Sequence, residues 1–431
     1  MSAAFATDVV HRLTAAGYLA YWAGGCVRDL LRGDPPKDYD VATSATPQQV
    51  RKLFGYQRSL AVGESFGVVI VLGEKGSGDT VEVATFRREG DYLDGRHPAS
   101  VEFCSAEEDA GRRDFTINGM FYDPLTRQVH DFVGGQADLQ QRLIRAIGDP
   151  RARMTEDKLR MLRAVRFASS LEFALDSGTA AAIFEMAEQV RVVSAERISQ
   201  ELRRMLVHPQ RARAMQLCEE LGLLRAILPE VIEFTIKSGM EVWQQRLHLL
   251  AALKQPDFPL SMAALLLKVP SPQNRSSRES ELYGTVHRIC RRLRFSNDEA
   301  DRVCWLTAHH GQLAELPQST LARFKRMAIH PGFRDLLQLE RTDSLIHAKP
   351  TEPFDWIQEQ LDRIPLEELD PPVLVTGKDL LEMGIRSGPL FKDWLIAIRD
   401  AQLNLTLTTR EEALELARQL TTGKLPSGND P

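Results

Sequence analysis

The sequence predicts an α/β N-terminal part, a mixed sheet with helices, followed by an all-α remainder. Short runs rich in β-branched and aromatic residues, separated by Gly, Pro and Asp turns, occupy the first 150 residues. After the turn Gly148-Asp149-Pro150, helical periodicity dominates and few strand candidates remain. Because 431 residues are too many for one core, we predict four parts. They are a head at 1–147, a helical neck at 148–207, a helical body at 208–340 and a helical tail at 341–431.

Composition limits the class of protein. A formal net charge of −5 does not exclude nucleic-acid binding, because local patches of charge decide it. The five cysteines include no Cys-x-x-Cys pair, which disfavours a zinc site or a disulfide framework and fits a reducing compartment. No apolar run reaches membrane-spanning length, and the N-terminus lacks the pattern of a secretion signal. We therefore predict a cytoplasmic protein without membrane contact.

The head alternates helices and strands. Helices are predicted where apolar residues recur every three to four positions, and strands where β-branched residues alternate or cluster. Thr46 is a suitable N-cap for one helix, whose first residue is proline. In chain order the predicted elements are a helix from Phe5 to Ala16, a strand from Tyr18 to Ala23, helices from Val27 to Leu31 and from Pro47 to Phe54, and a hairpin of strands from Phe66 to Leu72 and from Thr80 to Phe86.

The stretch from Ala23 to Asp40 carries the strongest chemical signal. It begins with the turn Gly24-Gly25 and ends with Asp38 and Asp40, which lead into an apolar run. Side chains two apart in a strand point to the same side, so the two carboxylates should lie side by side. Hard carboxylate oxygens suit Mg²⁺, and the N–H groups of the turn and the following helix suit phosphate. This block therefore predicts a site for a metal ion and a triphosphate.

Two further charged residues are candidates for the same site. Glu82 stands between β-branched residues and could supply a third carboxylate from a neighbouring strand, or it could simply face solvent. Arg113, in a charged group before an apolar segment, could bind phosphate or pair with a carboxylate. An internal salt bridge between the head and the neck is the alternative for this charged group.

The segment from Glu156 to Ala168 predicts a means of selecting a base. Asp157 and Arg160 are three residues apart, so they are neighbours if both lie in one helix. A carboxylate accepts from an exocyclic amine and a guanidinium donates to ring acceptors, which matches cytosine and adenine but not uracil or guanine. Arg163 and Arg166 turn further round the helix, where phosphate contact is the expected role. A solvated basic helix is the alternative.

At these residues the chain resembles the class II tRNA nucleotidyltransferase and bacterial poly(A) polymerase family. The resemblance covers roughly residues 20 to 205 and implies a head of the DNA polymerase β-like superfamily. A weaker resemblance at 376–395 is to the tail of CCA-adding enzymes. The matching blocks, in the family's order, are GGCVRD with KDYD, VEVATFR, DGRHPASVEF, RRDFTINGMFYDP, DFVGGQADLQQRLIRAIGDP, EDKLRMLRAVRFA and ERISQEL.

The resemblance implies template-independent addition of CCA to the 3′ end of tRNA from CTP and ATP, with release of pyrophosphate. It implies that Asp38 and Asp40 bind catalytic Mg²⁺. It also implies that the segment DYLDGRHPASVEF adjusts the pocket between C and A, and that Glu196 and Arg197 brace the neck. No obligate protein partner is evident. The residues implied to bind the incoming nucleotide are Gly24, Gly25, Arg28, Arg113, Asp157, Arg160, Arg163 and Arg166.

Several related activities remain as alternatives. A poly(A) polymerase shares the head and the chemistry. It is expected to carry a basic Gly-Arg/Lys-Arg/Lys-Phe signature before the strand that begins at Phe66, but Val62-Gly63-Glu64-Ser65 stands there in this chain. An enzyme that adds only A, one that adds only CC and a non-catalytic RNA-binding relative are further alternatives. The acceptor stem of tRNA is expected to contact basic residues of the helical half, with solvated helix faces as the alternative; the residues are Arg203, Arg204, Arg211, Arg213, Arg291, Arg292, Arg294, Lys325 and Arg326.

Overall fold

The chain forms two compact units. The computed structural model describes residues 2–61, 67–89, 101–269, 278–385, 388 and 390–421, without the side chains of 89, 101, 102 and 278–283. The N-terminal unit comprises Met1–Trp243 with Ile289–Phe295, and the C-terminal unit comprises Gln244–Arg288 with Ser296–Pro431. The boundaries at 147, 207 and 340 are finer subdivisions and stay predictions.

A mixed sheet is the centre of the N-terminal unit. Seven strands follow the order β3-β4-β5-β2-β1-β8-β9, while β6 pairs with β7 and β10 with β11. The described strands are β1 (Ala20–Ala23), β2 (Asp40–Thr43), β3 (Ser59–Leu60), β4 (Val68–Leu72), β5 (Thr80–Thr85), β6 (Arg87–Glu89), β7 (Val101–Phe103), β8 (Phe121–Asp123), β9 (Gln128–His130), β10 (Leu143–Ile144) and β11 (Ala174–Leu175).

Helices make up most of the remaining chain. Those that begin within the first 243 residues are α1 (Ala3–Ala15), α2 (Gly25–Arg32), α3 (Pro47–Phe54), α4 (Ala106–Gly111), α5 (Gly135–Gln140), α6 (Pro150–Glu156), α7 (Leu159–Ser170), α8 (Ser177–Met186), α9 (Ala195–Leu206), α10 (Arg211–Glu220), α11 (Leu223–Ile227), α12 (Pro229–Ser238) and α13 (Met240–Ala252). The later ones are α14 (Phe258–Leu266), α15 (Arg278–Arg292), α16 (Asn297–His309), α17 (Leu321–Ala328), α18 (Phe333–Ile346), α19 (Glu352–Arg363), α20 (Leu366–Leu369), α21 (Gly377–Glu382), α22 (Phe391–Leu403) and α23 (Arg410–Thr421).

Local signals account for several of these bounds. Helix α3 begins at Pro47 because the Thr46 hydroxyl accepts from the Gln49 N–H while the Gln49 side chain caps Thr46 in return. The predicted hairpin is confirmed, since β4 and β5 pair antiparallel with Ile70 opposite Glu82. The α/β head and helical remainder are confirmed too, although the two-residue strand β11 lies beyond residue 150 and pairs parallel with β10. That strand is too short to carry a detectable periodicity.

The two faces of the sheet have different roles. One face buries valines from β2, β4 and β5 against α1, including Val41, Val69 and Val83. The opposite face carries a smaller aromatic core with Phe86 and Phe121. Because successive residues of a strand alternate, Val41 belongs to the first face, and Asp40 and Ala42 belong to the second. Asp40 thus begins β2 on the face away from the main core.

The C-terminal unit is helical in its described part. Helix α14 is buried along its whole length. A separate small core joins α21, α22 and α23 through Leu380, Ile398 and Ala413. Among the described residues, no helix has the length and apolar character needed to cross a membrane.

Candidate active site

The predicted carboxylates meet at one edge of the sheet. Asp38 precedes β2 and Asp40 begins it, and both are exposed and line one cleft. Tyr39 between them turns into the core, where its ring meets that of Trp22 edge-on at 4.7 Å. Glu82 of β5 stands beside Asp40 in the parallel register and is also exposed, although it does not line the cleft. The prediction that Asp38 and Asp40 face the same side is confirmed.

Asp40 has the perturbed titration of a crowded anion. Protein atoms packed around its carboxylate remove hydration, and the negative charges of Glu82 and Asp38 oppose its ionisation. Arg113 acts in the opposite direction, and the net effect raises the pKa of Asp40 to about 6. A bound cation would relieve this repulsion.

The glycine turn gives the cleft an unobstructed helix terminus. Gly24 caps α2 with φ +75°, a left-handed value that side chains rarely adopt, and a β-carbon there would lie 3.4 Å from the Arg113 Nη1. Gly25 is the first residue of α2, so the unpaired N–H groups of the first turn begin there. These groups and the positive end of the helix dipole favour an anion.

The cleft has the composition of a polyanion site. Its volume is about 710 Å³, and it is lined by eight arginines against four aspartates. The formal charge of the whole chain is negative, so this positive region is local. The lining residues are Gly24, Gly25, Arg28, Asp38, Asp40, Arg87, Arg112, Arg113, Asp114, Asn118, Asp157, Arg160, Arg163, Arg166, Phe167 and Arg204.

Buried acids orient the arginines. Asp109 of α4 is 1% exposed and accepts from Nε and Nη2 of Arg113 at 3.2 and 3.0 Å, and from Nε of Arg112 at 2.9 Å. Burial alone would raise the pKa of Asp109, but the two guanidiniums lower it, so the acid stays charged. Pairing with a carboxylate was one of the two roles predicted for Arg113, and the ion pair with Asp109 fulfils it. This ion pair holds the Arg113 side chain at the wall of the cleft.

A second group of bonds joins the glycine helix to α7. Asn118 lies in a 3-10 turn, Thr116–Asn118, and its Oδ1 accepts from Nη1 of Arg28 at 2.8 Å. Its Nδ2 donates to Asp114, which accepts from Nε and Nη2 of Arg163 at 2.9 and 2.5 Å. Burial would raise the pKa of Asp114, yet Arg163 and the hydrogen bonds lower it. The charge on Arg163 is correspondingly stabilised.

Arg166 is held in the same manner from α9. Its Nε donates to the buried Glu201 at 2.6 Å, and its guanidinium carbon lies 4.1 Å from the centre of the Phe167 ring. Burial lowers the pKa of Arg166, partly offset by Glu201. Arginines remain charged at neutral pH even when shifted, so this guanidinium still offers N–H groups to an anion.

Asp157 and Arg160 both reach the cleft, but not from one helix. The prediction that they are neighbours on a helical face is wrong, because α6 ends before Asp157, whose backbone is extended at φ −141° and ψ 104°. Arg197 of α9 holds the Asp157 carboxylate with two N–H groups, at 3.2 and 2.7 Å. This ion pair, between residues forty positions apart in the chain, favours the extended backbone of Asp157 over a continuous helix. It also gives Arg197 the bracing role expected of it.

Arg160 is only 7% exposed and is fixed within the first turn of α7. Its Nη1 donates to the Arg153 carbonyl at 2.9 Å and to Glu156 at 2.5 Å, and its Nη2 donates to the Arg112 carbonyl at 3.0 Å. Three of its five N–H groups are thus used by the protein, which leaves two for a ligand.

All eight predicted nucleotide-binding residues and both predicted metal ligands line the cleft, and only Glu82 does not. Sequence reasoning missed the site roles of Asn118 and Phe167, whose only sequence signal is their position within charged motifs. The segment DYLDGRHPASVEF and the tetrapeptide Val62-Gly63-Glu64-Ser65 lie wholly or mostly outside the described residues. Of the basic residues expected to contact RNA, Arg211 and Lys325 are buried, so these two expectations are wrong for this conformation.

Paired carboxylates at a strand end, beside a glycine-capped helix and an arginine-lined cleft, define a nucleotidyl-transferring enzyme. The Poly A polymerase head domain model matches residues 20–145, and the model for a probable RNA and SrmB-binding site of polymerase A matches 172–235. A CCA-adding enzyme of Geobacillus thermodenitrificans is 33% identical over 95% of both chains, and one of Geobacillus stearothermophilus is 34% identical with the same coverage. The chain belongs to the tRNA nucleotidyltransferase and poly(A) polymerase family.

Solved structures agree with this assignment. The crystal structure of the Bacillus stearothermophilus CCA-adding enzyme in complex with CTP is 30% identical, covers 98% of this chain and 99% of its own, and superimposes with a TM-score of 0.72. The Thermotoga maritima CCA-adding enzyme complexed with tRNA, at 18% identity and a TM-score of 0.61, shows the same fold. Enzymes of this family generally use a divalent metal ion.

Proposed function

We propose that this protein adds C, C and A in turn to the 3′ end of tRNA, from CTP and ATP and without a nucleic-acid template. The observation that carries the proposal is one cleft containing both the Asp38–Asp40 pair and the Asp157–Arg160 pair. The first pair suits phosphoryl chemistry, and the second suits the edges of cytosine and adenine. A cytoplasmic location is part of the same proposal.

In the reaction, the 3′-hydroxyl oxygen of tRNA forms a bond to the α-phosphorus while the bond from that phosphorus to the β-phosphate oxygen breaks. The hydroxyl proton leaves to solvent and pyrophosphate departs. The α2 terminus and the arginines Arg28, Arg163 and Arg166 would hold the triphosphate. Since little covalent chemistry falls to the protein, positioning and fixed charge carry most of the rate.

The aspartates fit Mg²⁺ by their chemistry. Both offer hard oxygen ligands on the cleft surface, and burial together with the negative charges of Glu82 and Asp38 raises the pKa of Asp40. When bound, Mg²⁺ lowers the pKa of the attacking hydroxyl and neutralises charge on the leaving group. Among the described residues, no three His, Cys, Asp or Glu side chains surround a common point. Mg²⁺ is commonly bound through only one or two carboxylates, so Asp38 and Asp40 would suffice to hold it.

Base selection would follow from hydrogen-bond polarity. The Asp157 carboxylate accepts from the exocyclic amine of cytosine or adenine, while the two remaining N–H groups of Arg160 donate to ring acceptors. Uracil and guanine would set a carbonyl oxygen against Asp157, two acceptors with no hydrogen between them. The protein thus replaces a template strand.

The length of the similarity favours CCA addition over poly(A) synthesis. Poly(A) polymerase I of Salmonella typhi is 39% identical, but only over 54% of this chain and 52% of its own, whereas two of the CCA-adding relatives, those of Geobacillus thermodenitrificans and Geobacillus stearothermophilus, match over 95% of both chains. The deciding assay supplies each labelled nucleoside triphosphate separately to tRNAs that lack CCA, CA or A. Addition of C to the first two and of A only to the third supports the proposal. Long A tails on unrelated RNA, or A addition alone, would refute it.

Glu82 is proposed as a third acidic member of the site, because it faces the same side as Asp40 one strand away. Glu82→Gln is expected to lower kcat by about 10- to 100-fold, through loss of a fixed charge near the reacting phosphate, with the KM for CTP little changed. Rapid-quench measurement of C addition would show this. A kcat equal to wild type would show that Glu82 takes no part in the reaction.

RNA binding is proposed to use the exposed members of the predicted basic set. If about six phosphates are contacted, affinity for tRNA should fall roughly 10³-fold between about 50 and 200 mM salt. Filter binding across that range measures the slope. A flat salt response would mean that phosphate contacts contribute little, and would assign recognition to other groups.

A further inference from the structure

Phe167 stands where three arginines of the cleft converge. The guanidinium carbon of Arg166 lies 4.1 Å from the centre of its ring, and those of Arg28 and Arg163 each lie 5.4 Å away. The ring is 8% exposed, lines the cleft, and meets Phe115 edge-on at 5.8 Å, which fixes its plane. Three cations on one aromatic ring form a concentrated positive charge that requires a compensating interaction.

Each of the three guanidiniums is paired with a carboxylate, which contacts the edge of the guanidinium and not its face. Arg28 is held by Asp29 at 2.7 Å, Arg163 by Asp114 and Arg166 by Glu201. Each acid accepts on the Nε side of its guanidinium, and Asn118 also accepts from Nη1 of Arg28, so these bonds act at the edges of the guanidiniums and not on their faces. The negative face of an aromatic ring attracts cations, which supplies the second constraint.

We propose that Phe167 is a positioning residue for the triphosphate of the incoming nucleotide, which rests on the function proposed above. The ring holds the three guanidiniums close together despite their mutual repulsion, with their remaining N–H groups toward the cleft. A polyphosphate then meets donors that are already ordered, and less ordering is left to be done on binding. The ligand class is the polyphosphate itself, whichever base it carries.

Phe167→Leu and Phe167→Met are the first tests, because both fill a similar volume without a ring. Each should weaken binding of inorganic tripolyphosphate about tenfold, and should raise the KM for CTP and ATP by the same factor. The ratio of CTP to UTP incorporation should not change, since Asp157 and Arg160 are untouched. Phe167→Tyr keeps a ring and should bind tripolyphosphate within about twofold of wild type.

Fluorinated phenylalanine separates charge from shape. Mono-, di- and trifluorinated phenylalanine at position 167 keep the ring while progressively weakening its negative face. Tripolyphosphate affinity, measured by calorimetry, should fall stepwise with each fluorine if the ring acts on the arginines. Equal affinity across the series would overturn the proposal and reduce Phe167 to packing.

Phe173→Leu is the matched control. Phe173 is equally buried and has one arginine, Arg32, at 5.6 Å from its ring, but it does not line the cleft. The unfolding temperature of Phe173→Leu should fall as much as that of Phe167→Leu, while its affinity for tripolyphosphate stays at the wild-type value. Because calorimetry needs neither RNA nor turnover, a failed CCA-addition assay would refute the proposed function without deciding the role of Phe167. Equal loss of binding in both variants would refute the role of Phe167 alone.

Discussion

Asp40→Asn is expected to lower kcat for C addition by about 10³-fold or more, the upper range for loss of one preorganised electrostatic contact. The change keeps the shape of the side chain but removes the charge that would hold Mg²⁺ where β2 begins. Binding of CTP should change little, because the groups proposed to hold the triphosphate are the arginines of the cleft and the α2 terminus. Single-turnover kinetics with separate measurement of CTP affinity distinguishes the two effects.

Asp34→Asn controls for the loss of one negative charge nearby. Asp34 lies just after α2, and its carboxylate is 3.2 Å from the guanidinium of Arg32. It is half-exposed but does not line the cleft. Its rate should equal that of wild type. Wild-type turnover in Asp40→Asn, or a matched loss in Asp34→Asn, would remove the paired aspartates from the mechanism.

Asp157→Ala is expected to reduce the preference for CTP over UTP by about 10²-fold or more, because a site that hydrogen-bonds one base and repels another loses both effects together. The rate with CTP should fall, and that with UTP should fall less or rise. Competition between labelled CTP and UTP on tRNA lacking CCA measures the ratio directly.

Lys158→Ala is the control for base selection. Lys158 lies next to Asp157 in the break between α6 and α7, and its ammonium donates to the Thr155 carbonyl at 2.6 Å. Removing it alters the same connection without touching the carboxylate. An unchanged CTP to UTP ratio in Asp157→Ala would place base selection elsewhere in the cleft, whatever the result for Lys158→Ala.

The predictable features were those set by neighbours in the chain. The Thr46 cap, the glycine turn and the facing of Asp38 and Asp40 follow from turn, cap and strand rules that act over a few residues. The order of strands was not predictable in that way, because β2 lies between β1 and β5 through pairings that depend on the whole sheet.

The same distinction, between features set by near neighbours and features set by distant residues, applies to the site. Spacing placed Asp157 and Arg160 in one helix, but Arg197, forty positions later, holds Asp157 in a conformation that local propensity does not favour. Asn118 and Phe167 acquire their roles only when separate segments come together. Lys325 looks like a surface cation in the sequence, yet its helix turns it inward, where burial lowers its pKa.

The hydrogen bonds from α7 to the head fix the distance between this helix and the segment that contains Arg112 and Asp114. Arg160 donates to the Arg112 carbonyl and Arg163 to Asp114, so the helix is tied at two adjacent turns to one short segment of the head. A purine is wider than a pyrimidine, and sliding α7 to make room would break both ties at once. Any change of the pocket between C and A addition is then expected to come from parts of the cleft other than a sliding of α7. Crosslinking α7 to that segment should leave both additions intact.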